Sequence, residues 1–448
     1  MFVRAVAELH CVLKLCIKPF VDRGLVNMFL DGDVVLFINH SEDSGLKIGA
    51  PAVFLEGPDS AVLFEEPTTF LYERYVRSGA ILSPHTWAKA AYALKSWFEY
   101  LQSTAMDWRD AGEQDRINFR DAYLSSISPK TGRLYGFAGV RDSLTVIREF
   151  YLFCATRNVY GGDVGGGHYS AVHIPIDRNF LAHTHILPNI SSRDHALPIV
   201  RSETRIHAIS ATDLRSLLNH VGPQAAHRAG DMRPSRDRLI CDFGWAVGLR
   251  LDEINRLTTL QFLHLVPDTR VPFANLPITI HHGKGGKTRQ VAVPAWLVMD
   301  VLAYVKGERA ESIRSRPTSA RNLTHNLLLA HVSSKSSGQA VTNSAIQKMF
   351  RQACLSLGIV KTVEKIEPLR GLRRLAQVPK HSVHDLRHTY AVLTYHAERL
   401  HGNSEPWKKI QAQLGHSHLQ TTIDTYLAHV EIFTDQQGLL DVRGMLGL

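Results

Sequence analysis

Cysteine is scarce and carries no pattern. The 448-residue chain has five, Cys11, Cys16, Cys154, Cys241 and Cys354, an odd number with no CxxC pair. That argues against a disulfide framework and a structural zinc site, and it fits a reducing, intracellular setting. Long apolar runs are missing too, so no segment reads as a membrane span. The opening MFVRAVAELHCVLKLCIKPF is mostly apolar, but Arg4, Glu8, Lys14 and Lys18 interrupt it and no small-residue cleavage site follows. It does not read as a secretory signal, and the cytoplasm is the expected place of work. An acidic excess is also absent. Lys and Arg number 51 against 42 Asp and Glu, a formal charge of +9 that suits a polyanionic partner such as nucleic acid. Many soluble proteins are mildly basic, so charge alone decides little. No internal repeat is found. The hydrophobic fraction of 44% is ordinary for globular protein, and a chain this long should divide into two or three domains.

Residues 1–67 hold two stretches, Val34–Ile38 and Ala52–Leu55, separated by Asp, Gly and Pro. They read as short strands in an N-terminal extension to which the sequence assigns no role. Over 68–160 the pattern turns helical. A helix near Thr86 places Leu94, Trp97, Phe98 and Leu101 at helical spacing, a second fits Ile117–Ser125, and a third fits Gly139–Thr156 with Leu144, Ile147, Phe150 and Tyr151 on one side. The aromatic stripe reads as core rather than as a stacking platform for bases. GGDVGGG, at Gly161–Gly167, opens an aperiodic stretch over 161–204 that reads as a linker, though a long one. It lacks the strand-then-helix context of a dinucleotide loop. Periodicity resumes after Ser210, which is placed to cap a helix.

Four later segments carry polar signals. In Val247-Gly-Leu-Arg-Leu-Asp-Glu-Ile-Asn-Arg-Leu, Val247, Leu251 and Ile254 fall at i, i+4 and i+7, facing a core. Arg250 and Glu253 then share another helical face, which alone could be a surface ion pair. Pro277–Pro294 reads as a β-hairpin with Lys284 between glycines at its tip. Its Gly286-Lys287-Thr288 imitates the end of a P-loop, but His281 stands where the first glycine is required and the context is strand–turn–strand. In His381-Ser-Val-His-Asp-Leu-Arg-His-Thr-Tyr-Ala, His384 and Arg387 recur at i and i+3, after a basic run of Arg370, Arg373, Arg374 and Lys380. His381, His384 and His388 do not complete a recognisable metal set, so no metal is expected. In Leu414-Gly-His-Ser-His-Leu-Gln-Thr-Thr-Ile-Asp-Thr-Tyr, Thr421 and Asp424 read as a capping box that opens a helix with Tyr426 one turn in.

Together these groups meet one chemical demand. Attack on a phosphodiester brings a nucleophile to an anion, and charge then spreads over the non-bridging oxygens. Arginines and histidines can donate to those oxygens without a metal. A tyrosine hydroxyl can attack to give a phosphotyrosine, and a lysine can protonate the departing oxygen. Bond energy kept in the protein–DNA link would make rejoining independent of ATP.

The order G-L-R-x-x-E, G-K-G, H-D-L-R-H-T and L-G-H-S…T-T…T-Y resembles the catalytic domain of tyrosine recombinases and phage integrases, over about Ile206 to His429. Each motif is common alone; the four in order with a terminal tyrosine are specific. The resemblance implies a mainly α fold with a small antiparallel β-sheet. It implies a helical core-binding domain at 68–160 and a catalytic domain at 205–430, closing on DNA as a C-shaped clamp. The implied roles are Arg250 and Arg387 on the scissile phosphate, with Glu253 supporting the basic groups. Lys284 would be general acid, His384 would position the nucleophile, His416 would donate to a non-bridging oxygen, and Tyr426 would be the nucleophile. His416 and Tyr426 stand ten positions apart, one more than in many members. Tyr390 and Tyr395 are expected to pack. Lys287, Arg289, Arg370, Arg373, Arg374 and Lys380 are candidate DNA contacts. The implied partners are double-stranded DNA with specific recombination sites, a homotetramer on that DNA, and accessory DNA-bending or directionality factors, with no cofactor. The tail at 431–448 either exchanges with a neighbouring protomer or packs on its own domain. Rival readings are a type IB topoisomerase-like enzyme, a regulator with a decayed site, and a metal nuclease.

Overall fold

The computed structural model describes residues 33–39, 47–57, 60–79, 81, 83–165, 194–199, 207–281, 288–316, 325–367, 371–416 and 423. The chain forms two compact units, Met1–Ser202 with Lys365–Arg374, and Glu203–Glu364 with Leu375–Leu448.

In the first unit β1 (Asp33–Ile38) and β2 (Pro51–Glu56) pair antiparallel with Val34 opposite Leu55, and β3 (Ala61–Leu63) lines the other edge of β2. Helix α1 (Glu65–Leu71) runs on through a π-helical stretch, Tyr72–Arg77. Next come α2 (Pro84–Ser103), α3 (Glu113–Ser125) and α4 (Phe137–Thr156). Pro84 opens α2 in the first turn, where its missing N–H is no loss. Helix α3 starts a turn earlier than the sequence suggested, because Asp115 Oδ2 accepts from the Gly112 N–H at 2.8 Å and caps it. The aromatic stripe is core: Trp97, Phe98, Phe150 and Tyr151 are fully buried. The Tyr151 hydroxyl accepts from Trp97 Nε1 (3.0 Å) and donates to the Trp108 carbonyl (2.8 Å), so the polar atoms inside this packing are satisfied.

Two boundaries differ from the sequence expectation. The strands at 33–63 are no separate extension, since Val34, Val53, Leu55 and Phe64 join the helices in one core. Thr68 Oγ1 accepts from the Val53 N–H and donates to the Val53 carbonyl, fastening β2 to α1. The presumed linker also takes part at both described ends. Val164 is in the same core, and Asp194 forms a buried ion pair with Arg116 at 2.8 Å. Arg116 donates besides to the Val164 carbonyl at 2.7 Å. A guanidinium this enclosed needs such partners, because an unpaired buried charge is strongly destabilising.

The second unit carries α5 (Ala211–Val221), α6 (Ser235–Trp245) and α7 (Leu251–Asn255). The antiparallel pair β4 (Asn275–Ile280) and β5 (Arg289–Pro294) follows, with Ile278 opposite Val291. Helix α8 (Ala295–Tyr304) continues through a π-helical stretch into α9 (Ala310–Arg314). Then come α10 (Asn343–Ser356), the two-stranded sheet of β6 (Val360–Ile366) and β7 (Arg373–Pro379), of which Lys365–Ile366 and Arg373–Arg374 belong to the first unit, α11 (Val383–Leu400) and α12 (Pro406–Leu414). Ser210 does cap α5, its Oγ accepting from the Asp213 N–H. Helices α6, α8 and α10 and the inward faces of β4 and β5 share one apolar core. Among the described residues the protein is thus mainly α, with three small sheets where the sequence suggested one.

Candidate active site

The site begins with a broken helix. The sequence suggested one helix through Val247–Leu257, but Gly248 sits at φ +74° and ends the run from α6. Only glycine takes this conformation without strain. Space enforces the choice as well, since a Cβ there would lie 2.6 Å from Tyr390 Cδ1 and 2.8 Å from Leu414 Cδ2. Arg250 is consequently the extended residue before α7. Glu253, three residues on, caps that helix: its Oε2 accepts from the Arg250 N–H at 2.9 Å, and its Oε1 accepts from Arg250 Nη1 at 3.0 Å. The i, i+3 pair is therefore a buried cap with Glu253 3% exposed, and not a surface ion pair.

Strand β5 brings a third member. Arg289 Nη1 and Nη2 donate to Glu253 Oε1 and Oε2 at 2.7 and 2.9 Å, a two-pronged ion pair. The sequence marked Arg289 only as a DNA contact; the structure turns its guanidinium inward instead, because a buried carboxylate is available to it. Helix α11 supplies Arg387, 2% exposed. Its Nη1 donates to the Gly248 carbonyl (2.6 Å) and its Nη2 to the Leu414 carbonyl (2.7 Å). Nη2 also lies 3.3 Å from His416 Nε2, and Nη1 lies 3.9 Å from Glu253. A guanidinium only donates, so the His416 contact makes Nε2 an acceptor and leaves the proton on Nδ1. Gly415, in the left-handed conformation at the end of α12, turns the chain so that His416 meets Arg387.

Gln413 gave no signal in the sequence. Its buried amide donates to the Val247 and Ala292 carbonyls (3.0 and 2.9 Å) and accepts from the Ala292 N–H (2.9 Å). That ties α12 to β5 and to the glycine turn. A glutamine one residue before a Leu-Gly-His turn is a spacing the sequence could have flagged, but its partners lie more than a hundred residues away.

His384 sits one turn before Arg387 on α11 and meets His388 edge-on, ring centres 4.6 Å apart. Burial, then the Arg387 charge, lowers the His384 pKa. Burial likewise takes His416 down to about 4, helped by Arg387, Arg250 and Arg289. Both imidazoles are neutral at neutral pH, each with one donor and one acceptor. Burial pushes Glu253 up, but the bonds from Arg289 and the Arg250 N–H and the two guanidinium charges outweigh it and hold the carboxyl at about 2. Three guanidiniums against one carboxylate leave the cluster electropositive, and it presents N–H donors to an anion.

Arg250, Glu253, His384, Arg387 and His416 thus come from three chain segments into one cluster, and Arg289 on β5 adds a fourth. Tyr390 is buried, its hydroxyl pushed up to about 12, and Tyr395 packs against Trp407, as expected for structural tyrosines. Lys380 pairs with Asp213 at 3.5 Å, outside the cluster. Arg373 and Arg374 are exposed on β7. Lys284, Lys287, Arg370, Tyr426, the Thr421–Asp424 capping box and the tail at 431–448 lie outside the described residues. Beside His384 a cavity of about 470 Å³ opens between Leu251, Phe350, Arg351 and His381. Among the described residues no three His, Cys, Asp or Glu are grouped to hold a metal ion, and no helix is long and apolar enough to cross a membrane.

None of the curated proteins matches the sequence. Among solved structures, the chain resembles XerH site-specific recombinase bound to palindromic difH substrate, at 16% identity, TM-score 0.46 and 79% coverage of each chain. It also resembles the Tn1549 transposon integrase in complex with a circular intermediate DNA, at 13% identity, TM-score 0.47 and 81% and 98% coverage. A lambda integrase dimer bound to a COC′ core site matches at 13% identity, TM-score 0.43 and 79% and 96% coverage. The sequence model of the phage integrase family matches residues 209–431, the stretch that contains the whole cluster together with Lys284 and Tyr426. The chain belongs to the phage integrase family.

Proposed function

We propose that the cluster is the phosphate-binding half of a DNA strand-transfer site whose nucleophile is Tyr426. The chain is a tyrosine recombinase, a site-specific DNA strand transferase. In the proposed cycle the scissile phosphate lies against Arg250, Arg387 and His416, which donate to its non-bridging oxygens. The Tyr426 oxygen forms a bond to phosphorus, the bond to the 5′ oxygen breaks, and Lys284 gives that oxygen a proton. The DNA 3′ phosphate is then held as a phosphotyrosine. Attack by a 5′ hydroxyl from the partner duplex releases the tyrosine and completes exchange, with no net change in the number of phosphodiester bonds. His384, neutral at neutral pH, takes the hydroxyl proton of Tyr426 during attack and returns it when the tyrosine is released.

The observation that carries this reading is the forked, buried setting of Arg387 beside His416. Protein carbonyls fix the Arg387 fork and Arg387 in turn fixes the His416 ring, and such preorganisation is the condition for electrostatic stabilisation without reorganisation. Four protomers acting on two DNA sites, accessory DNA-bending factors, and work in the cytoplasm of a bacterium carrying a mobile element complete the proposal. Trapping covalent complexes on a library of nicked duplexes and sequencing the attached DNA tests it. Adducts concentrated on one sequence and formed in EDTA are expected. Efficient relaxation of a supercoiled plasmid lacking that sequence would favour a topoisomerase, and cleavage abolished by EDTA would favour a metal nuclease.

A further inference from the structure

We infer that Arg289 is a positioning residue of the strand-transfer site: it acts through Glu253 to hold Arg250 and the Leu414–His416 turn in register, and it does not contact DNA phosphate. The inference rests on the function proposed above. Three observations carry it. First, both outer nitrogens of Arg289 are engaged by the two oxygens of Glu253, at 2.7 and 2.9 Å, and its side chain is 14% exposed. A guanidinium so committed has only its remaining edge for other work, and here Nε donates to the Gln413 carbonyl at 3.3 Å. Second, the same carboxylate accepts from both the backbone and the side chain of Arg250. Arg289 therefore fixes the orientation of the group that orients Arg250. Third, the Arg289 side chain lies over Gly415, where a Cβ would approach its Cδ to 2.6 Å and its Nε to 2.8 Å. Gly415 leads directly into His416. The guanidinium is wedged between the carboxylate under one phosphate-binding arginine and the turn that delivers a phosphate-binding histidine.

This arrangement has a signature that plain structural support lacks. Glu253 must be an anion to hold two guanidiniums. Its charged and titratable neighbours in the cluster are Arg250 from α7, Arg289 from β5, Arg387 and His384 from α11, and His416 after α12. Burial alone would raise its pKa; the Arg289 bonds are the largest influence opposing that. Removing Arg289 moves protonation of Glu253 toward the working pH range. The cleavage rate then acquires an acid limb that begins at higher pH than in the wild type.

The experiment uses the full chain and a nicked duplex carrying the trapped sequence. Single-turnover adduct formation at saturating DNA is followed across pH for wild type, Arg289→Gln, Arg289→Lys, Glu253→Gln and the double variant. Affinity is measured against salt in parallel. Arg289→Gln is expected to slow adduct formation at least ~10-fold at neutral pH, since small misplacement of a donor is costly. It should raise the acid limb and leave the slope of affinity against salt unchanged. Arg289→Lys should recover part of the rate, and the double variant should be no slower than Glu253→Gln alone. A salt slope lower by about one with an unchanged saturated rate would make Arg289 a phosphate contact and overturn the inference. So would a pH profile that overlays the wild type, or losses that add in the double variant. If Arg289→Gln fails to fold, the lysine variant and its pH profile decide. Tyr426→Phe runs alongside: adducts from that variant would sink the function itself, whereas an inert Tyr426→Phe beside a fully active Arg289→Gln would sink only the role of Arg289.

Discussion

Replacing Arg387 with lysine keeps the charge and removes the fork. The two carbonyls that Arg387 serves, Gly248 and Leu414, belong to separate segments and are reached by different nitrogens at 2.6 and 2.7 Å. One ammonium on a flexible stem cannot reproduce that planar spread. At least one buried carbonyl is left without its donor, at about 1–3 kcal/mol, and one charge-assisted bond of about 1.5–3 kcal/mol is lost. These two effects overlap, so a net destabilisation of about 2–4 kcal/mol follows for a side chain that is 2% exposed. The catalytic loss is separate. His416 loses the neighbour that fixes its tautomer, and a preorganised donor at the phosphate disappears, which by itself costs about 10²–10³ in rate. Denaturant unfolding read by the stacked pair Trp245 and Trp296 reports the first effect, and single-turnover adduct formation reports the second. Affinity for DNA should change little, since the lysine retains its charge. A lysine variant with wild-type unfolding and wild-type cleavage would refute the idea that the fork, rather than the charge, organises the site.

Two further outcomes follow from the same geometry. Gly248→Ala meets Tyr390 and Leu414 inside van der Waals contact and forces a left-handed alanine, so stability should fall by at least ~1–3 kcal/mol and cleavage with it; a melting temperature equal to wild type would contradict this. Glu253 is depressed from 4.5 to about 2 on folding, so it contributes about 3 kcal/mol that is fully present above pH 4.5 and is lost as pH falls through about 2. Unfolding of wild type and Glu253→Gln should therefore differ most near neutral pH and converge toward pH 2, and a gap that stays constant with pH would be evidence against the buried ionised carboxylate.

Local patterns were readable from the residues, and long-range partners were not. Leu94, Trp97, Phe98 and Leu101, and likewise Leu144, Ile147, Phe150 and Tyr151, showed their buried faces because helical spacing is a property of a single segment. Spacing also linked Arg250 to Glu253 and His384 to Arg387. It misjudged how the first pair meets, because Gly248 ends one helix and makes Arg250 the entry to the next. Arg289 was legible as a cation on a hairpin but not as the partner of Glu253, 36 positions away, since charge on a strand does not say which face it takes. Asp194, 78 positions from Arg116, looked like linker for the same reason, as did Val164. Gln413 was missed because an amide reports nothing until its carbonyl partners are in place.

The identity of the nucleophile is best tested by mass spectrometry of the covalent complex formed on a nicked duplex. The wild-type chain should yield one DNA-linked peptide, modified on Tyr426, and Tyr426→Phe should bind the same DNA and yield none. A phosphodiester link mapped to Tyr390, Tyr395 or any other residue, or undiminished adduct formation by Tyr426→Phe, would contradict the account.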